Sequence, residues 1–414
     1  MERTFIILGG AGDLARRLLL PGIAHYCALT GTDINVVGAG HSSVDDYAGL
    51  VRDATEHVDA RVAERLADRA TYSVTDATDS RDLSALLEGR ENAILYFALS
   101  PTVTAEAVSA LPALPPGITL AVEKPFGTDR ESARQLNARL AGLVDEPRIV
   151  RVDHFIEMAG VRNLRALRSA NRLITSSWTP ADIAAIDLVW NETIGLEGRA
   201  DFYDATGAAE DMLQSHLLQT VAHVLADGDL APEEILRGIR VQGEVRKGRY
   251  SAGEVNGKSV PAYVDEDGVD PDRGTETWFR VTVEVDVDRW RGIPIRLESG
   301  KAFGLDRGNI VVTFRPNGSH PANTLSLDLL DHSMAITLAG ADLRGGGSAN
   351  LTLHSALAPA PLSAYGRVVE RLIDGDGGLS ADAAVAGWEA MSHIREQLNR
   401  APLEEYPAGT MTIP

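Results

Sequence analysis

The stretch that decides the fold is FIILGGAGDLARRLLLPGIAHY, residues 5–26. Four apolar residues, Phe5 to Leu8, run into Gly9, Gly10 and Gly12, and from Leu14 onward the apolar residues recur at helical spacing. That is strand, tight turn, helix, the arrangement in which backbone N–H groups at a helix N-terminus meet a pyrophosphate. The pattern is GxxGxxA rather than GxGxxG. Its place on the first strand of a long α/β chain favours dinucleotide binding over a plain βα turn. Gly9, Gly10, Gly12, Asp13 and Leu14 are therefore the expected coenzyme contacts.

Working outward, residues 34–38, 93–98 and 119–122 read as further buried strands, with helices over 51–67 and 130–143 between them. The expectation is a Rossmann-like, doubly wound parallel sheet in a dinucleotide-binding domain over residues 1–150. Beyond Arg151 the pattern changes. Helical stretches over 161–173 and 208–226 precede alternating strands over 278–287, 310–314 and 334–338. Strands following helices predict an α+β domain with a large, mostly antiparallel sheet over 151–414. Residues 253–273 read as an exposed acidic loop, and the glycines at 345–347 as a flexible turn.

At 414 residues the chain is long enough for two cores. A net charge of −20 argues against nucleic acid or an anionic membrane as partner. One cysteine, Cys27, excludes an intrachain disulfide and a cysteine-built zinc site, and the histidines lack ligand spacing, so no metal is expected. No apolar run is long enough to span a bilayer, and the first strand begins almost at Met1. A cytoplasmic protein is the expectation.

Two further motifs carry chemistry: RVDHF at 151–155 and DMLQSHLLQ at 211–219. If His216 is a general base, a carboxylate must fix its tautomer and stabilise the imidazolium it becomes. Asp211, five residues earlier on a predicted helix, is displaced around it, whereas Asp153 can approach from another element.

GGAGDLARR, EKPFGTDRESARQLN from Glu123, RVDHFIEMAGVRNLRALRSAN from Arg151, ETIGLEGRADFYDATGAAEDMLQSHLLQ from Glu192, ESGKAFG from Glu298 and AYGRVVERLIDGD from Ala364 stand in one order. In that order the chain resembles the glucose-6-phosphate dehydrogenase family over nearly its whole length. The resemblance implies oxidation of a pyranose at C1 to the lactone, with hydride passing to a nicotinamide. It makes His216 the base and Asp153 its partner, and gives Asp211 and Glu192 to sugar hydroxyls. Lys124, before a cis Lys124–Pro125 bond, would lie between sugar and coenzyme, with Lys301 nearby. It also implies a homodimer or homotetramer.

The chain departs from the family where the sugar phosphate is held. DHYxxxK becomes Asp153, His154, Phe155 and Met158, and the lysine of GDLAKRK falls on Leu18. A phosphate without these groups loses charge-assisted bonds worth about 1.5–3 kcal/mol each, and Glu157 adds a negative charge. Only four residues of the chain are lysine, so arginine has replaced lysine widely, which explains neither Met158 nor Leu18. Three readings stay open. Arg162, two helical turns from His154, holds the phosphate; or the substrate is a neutral or differently substituted aldose, walled by Phe155 and Met158, with Glu157 meeting a hydroxyl or an amino group; or the chain is a non-catalytic paralogue. For the coenzyme, His41, Ser42 and Ser43 follow the second strand where the family carries an arginine for the 2′-phosphate. With no acidic residue at that strand end, NADP is favoured over NAD, with Arg16 or Arg17 assisting.

Overall fold

The computed structural model describes residues 3–196, 198, 200–331, 333–341, 348–356, 360–375 and 378–414. They form two compact units, residues 1–158 with 360–385, and residues 159–359 with 386–414.

The first unit holds six parallel strands, β1 (Arg3–Leu8), β2 (Ile34–Gly40), β3 (Ala70–Val74), β4 (Ile94–Phe97), β5 (Thr119–Val122) and β6 (Ile149–Arg151), in the order β3-β2-β1-β4-β5-β6. The order reverses between β1 and β4, and open parallel sheets bind ligands beyond the carboxyl ends of the strands at such a point. Two of these strands are additions to the sequence reading: β3 is half-exposed and mixed in polarity, and β6 is only three residues long. The helix expected over 51–67 is two helices, Tyr47–Thr55 and Ala60–Asp68, because the Asp59 carboxylate accepts from the N–H groups of Arg61 and Val62 and starts the second.

The boundary expected at residue 150 shifts for physical reasons. β6 completes the parallel sheet, so residues 152–158 run off its end within the first unit. The helix Ala364–Asp374 also returns to this unit and packs on the helix Leu20–Thr30. Gly22 permits the approach: a Cβ there would stand 2.7 Å from Cβ of Tyr365.

The second unit is built on nine strands. β7 (Ile183–Asn191) and β8 (Ile239–Ser251) come first; β9 (Gly253–Val255) and β10 (Lys258–Val260) form a separate hairpin. β11 (Trp278–Val285), β12 (Ile295–Gly300), β13 (Arg307–Phe314), β14 (Thr324–Asp328), β15 (Ser333–Ala341), β16 (Ser348–Ala356) and β17 (Leu403–Pro407) follow. The sheet order is β16-β15-β14-β13-β7-β12-β11-β8-β17, with only β7–β12 and β8–β17 parallel. The α+β expectation is thereby met. The loop expected over 253–273 instead contains the hairpin and a 3-10 turn, Tyr263–Asp265, anchored by the buried Val255 and Tyr263. The turn expected at 345–347 lies outside the described residues. No helix among the described residues is long and apolar enough to cross a membrane.

Candidate active site

The glycine turn closes as the sequence requires. Gly9 has φ +82°, and a Cβ on it would stand 2.3 Å from the Ala98 carbonyl oxygen beyond β4. A Cβ on Gly10 would stand 2.6 Å from Cα of Gly38 in β2. The N–H groups of Gly9 and Gly10 both donate to the Ala39 carbonyl, at 2.8 and 3.1 Å, and Gly12 donates to Gly9. The chain then enters a helix at Asp13 and Leu14, whose first turn leaves N–H groups without intrahelical acceptors. A π-helical segment, Ala15–Leu19, continues into the helix Leu20–Thr30. Arg16, Arg17 and Leu18 are exposed on it, and Asp13 meets Arg17 at 3.4 Å. A cradle only glycine can form, at the topological switch point and ahead of open N–H groups, fits a dinucleotide.

At the end of β2, His41 and Ser42 are exposed, and the Ser42 carbonyl accepts from the Tyr72 hydroxyl at 3.0 Å. Asp76, just beyond β3, lies within electrostatic reach of His41. Its carboxyl is held below the usual range by hydrogen bonds from Thr78, with a smaller contribution from His41.

Beyond β5 and β6 the first unit buries a charged cluster. Lys124 precedes a cis bond to Pro125, and its Nζ lies 2.7 Å from Oδ2 of Asp153, with both side chains sealed from solvent. Burial pulls the ammonium below its ordinary pKa while Asp153 opposes the fall. Oδ1 of Asp153 accepts from the Phe155 N–H at 3.0 Å. Glu123 accepts from the hydroxyls of Tyr96 and, at 3.0 Å, Tyr365, and burial pushes its carboxyl up to about 7. The Tyr365 ring also stacks on His154, with centroids 5.0 Å apart and planes at 28°. Burial, reinforced by Lys124 and opposed by Asp153, pushes His154 down to about 4, so its imidazole is neutral at pH 7.

Of the phosphate positions that the resemblance implies, His154 stays polar, whereas Phe155 and Met158 are apolar. Phe155 is buried and Met158 half-buried. Glu157 is buried and ion-paired with Arg371, so it is committed to the helix Ala364–Asp374 and is not displayed to a substrate. Arg162 is exposed on the helix Ala159–Ala170 and lines a cleft of the second unit with Arg165, Arg168 and Arg289.

In the second unit the chain breaks at Gly207 (φ 67°, ψ 175°) and restarts as a π-helix, Ala209–Leu217. The Glu276 carbonyl accepts from Ala208 N–H and its carboxylate from Ala209 N–H, both at 3.0 Å, which anchors the restart. Residues five apart on an α-helix lie about 140° apart; with i→i+5 bonding they lie nearly one turn apart. The expected displacement of Asp211 from His216 is therefore smaller, and these two are the partly exposed residues of the segment 211–217.

Glu192, just after β7, lies 2.5 Å from Nζ of Lys301, and that ammonium stands 5.2 Å above the Tyr203 ring. Burial raises the Tyr203 hydroxyl well above its ordinary pKa, with Asp211 and Glu192 adding to the rise. Tyr203 thus lies beneath the ammonium of the Lys301–Glu192 pair and feels the charge of Asp211. Ala302, next to Lys301, holds φ +56°, a left-handed conformation unusual for alanine; it is fixed by hydrogen bonds to Ile194 at 2.9 Å and from Gly409 at 2.8 Å.

Sequence reasoning gave no role to Glu123, Tyr96, Tyr203, Tyr365 or Glu276. Glu123, Tyr203 and Tyr365 stand inside motifs already singled out, and that position was the available signal. Tyr96 lies in an apolar strand and Glu276 in an acidic stretch, where nothing marked them. Among the described residues no His, Cys, Asp or Glu group can hold a metal ion.

A glycine cradle at the switch point of a parallel sheet, followed by a second unit with the Lys301–Glu192 pair and a π-helix carrying Asp211 and His216, fits a nicotinamide-dependent oxidoreductase. Comparison with known proteins narrows the class. Residues 6–163 match the glucose-6-phosphate dehydrogenase NAD binding domain, and residues 165–413 match the C-terminal domain of the same family. The chain belongs to the glucose-6-phosphate dehydrogenase family. It is 33% identical to glucose-6-phosphate 1-dehydrogenase of Bacillus subtilis over 76% of this chain and 71% of that one. With the enzyme of Gluconobacter oxydans it shares 29% over 98% and 93%. The crystal structure of the Mycobacterium avium enzyme superposes with a TM-score of 0.83 at 29% identity, covering 99% of this chain and 94% of that one.

Proposed function

We propose that the protein oxidises C1 of a glucose-like aldopyranose to the lactone, using NADP, and that its C6 substituent is a neutral hydroxyl or a group other than the family's phosphate. The nicotinamide, when bound, accepts the hydride from C1. His216 takes the proton of the anomeric hydroxyl; a neutral imidazole is already a competent base near pH 7. Asp153 orients that imidazole and favours its charged form. Asp211 and Glu192, each able to accept two hydrogen bonds, hold sugar hydroxyls. Lys124 and Lys301 place positive charge near the oxygen atoms of the substrate, and Gly9, Gly10, Gly12, Asp13 and Leu14 hold the coenzyme pyrophosphate.

The observation that carries the choice of substrate is the apolar pair Phe155 and Met158, with the one added charge, Glu157, locked onto Arg371. His154 at about pKa 4 offers a neutral donor rather than a cation. NADP is preferred for His41, Ser42 and Ser43, although Asp76 near His41 weakens that preference relative to an arginine-lined site. A second reading, glucose 6-phosphate itself with Arg162 as the phosphate ligand, is favoured by the names of the relatives.

Initial rates of coenzyme reduction with glucose and with glucose 6-phosphate, each with NADP and NAD, decide between them. Preference for the free sugar supports the proposal, and preference for the phosphate ester supports the second reading. No reduction with any of the four pairs or with a panel of other aldoses would mean that the chain binds without turnover.

A further inference from the structure

Two tyrosines of the first unit stand behind the coenzyme turns. Tyr47 opens the helix Tyr47–Thr55, and Tyr72 lies in β3. Their rings are in contact, with centroids 5.0 Å apart and planes at 44°. Each hydroxyl is spent on a different turn. The Tyr47 hydroxyl donates to the Gly10 carbonyl at 3.1 Å, and the Tyr72 hydroxyl to the Ser42 carbonyl at 3.0 Å. Burial raises both phenols above their ordinary pKa, helped at Tyr47 by Tyr72, so both are protonated donors at neutral pH.

β2 is shaped to receive them. Residues 38 and 40 of a strand lie on one face, and both are glycine. A Cβ on Gly38 would stand 2.3 Å from Cζ of Tyr47, and one on Gly40 would stand 2.7 Å from the Tyr72 hydroxyl oxygen. Gly38 is also the partner of Tyr72 in the β2–β3 register. The two phenols thus occupy the space that two side chains would fill. Tyr47 is buried and Tyr72 half-buried, whereas His41, Ser42 and Ser43 are exposed. The Tyr72 hydroxyl therefore ties an exposed turn to the neighbouring strand.

We propose that Tyr47 and Tyr72 are positioning residues with divided tasks. Tyr47 sets the turn at Gly10 and with it affinity for either nicotinamide dinucleotide; Tyr72 sets the turn at 41–43 and with it preference for the coenzyme bearing a 2′-phosphate. This rests on the reading that Gly9, Gly10 and Gly12 hold the pyrophosphate and that His41, Ser42 and Ser43 meet the 2′-phosphate. NAD and NADP share the pyrophosphate and differ in the 2′-phosphate. Loosening the first turn weakens both, and loosening the second weakens NADP alone.

The test is fluorescence titration of the full chain with NADPH and with NADH, in the absence of sugar. It compares the parent with Tyr72→Phe, Gly40→Ala and Tyr47→Phe, each checked by thermal unfolding. Tyr72→Phe should weaken NADPH about three- to tenfold, the worth of one hydrogen bond, and leave NADH within about twofold. Gly40→Ala keeps the phenol but pushes its hydroxyl aside, and should do the same. Tyr47→Phe should weaken both coenzymes by one common factor. An unchanged ratio of the two affinities in Tyr72→Phe and Gly40→Ala overturns the proposal, because a merely structural role lowers Tm and leaves that ratio alone. A changed ratio in Tyr47→Phe, or no loss of affinity there, also overturns it. A parent that binds neither coenzyme, or binds NADH more tightly, overturns the underlying coenzyme reading as well, whereas a parent that prefers NADPH with variants that keep its ratio sinks the proposal alone.

Discussion

Each unit buries one lysine against one carboxylate, and the two pairs differ in what they leave open. Lys124 and Asp153 are both sealed, whereas Lys301 is sealed and its partner Glu192 keeps about a quarter of its surface. Two of the chain's four lysines are thus spent on buried pairs in a protein that otherwise uses arginine. A compact ammonium with freely turning donors fits a narrow charged pocket where a rigid guanidinium fork does not. The sealed pair is held in one arrangement, whereas the half-open pair leaves its carboxylate able to exchange partners.

The largest effect expected concerns the proposed base, His216. His216→Asn should lower kcat by about 10²–10⁴-fold while leaving coenzyme binding, followed by fluorescence, intact. Turnover within a few-fold of the parent would remove His216 from the role of base.

Lys124→Met strands Asp153 in a sealed site and should cost about 3–5 kcal/mol in urea unfolding. Lys301→Met frees Glu192 to relax toward solvent and should cost only about 1–2 kcal/mol. Equal losses would erase the distinction between the pairs.

pH separates the first unit further. Glu123, pushed up to about 7 from an ordinary 4.5, is protonated in the fold where the unfolded chain is not. Its contribution is therefore fully present below pH 4.5 and is lost as pH rises through 7, by roughly 1–3 kcal/mol. In Glu123→Gln that fall between pH 4.5 and 7 should vanish from thermal unfolding profiles. His154 acts oppositely: with its folded pKa near 4, the unfolded chain gains a proton first, and stability drops from pH 6.5 toward 4.

The smallest effect is on selectivity. Met158→Lys should raise kcat/KM for glucose 6-phosphate relative to glucose by about tenfold, the worth of one charge-assisted bond. An unchanged ratio would shift the search for a phosphate ligand to Arg162.

Legibility followed the range of the interaction. The turn at Gly9 was readable because an apolar strand, three glycines and a helix sit within one short stretch, and the position of Gly9 admits no Cβ. β3 was not, since its residues are neither alternating nor uniformly buried. Residues 253–273 look polar enough for a loop, yet two inward residues, Val255 and Tyr263, are sufficient to fold them down. At the site, Lys124, Asp153, Glu192, Asp211, His216 and Lys301 could be picked out by motif. What could not be read was the pairing across sequence: Tyr365 reaches Glu123 and His154 from more than two hundred residues away, and no local pattern announces such a contact.

The π-helix at Ala209–Leu217 has a consequence for tracing descent. A spacing of five on a π-helix presents the same side as a spacing of four on an α-helix. A relative with one residue fewer between its aspartate and its histidine can therefore display the same pair on an ordinary helix. Between such a relative and this chain, insertion of a single amino acid, rather than any substitution, is the simplest event linking the two forms.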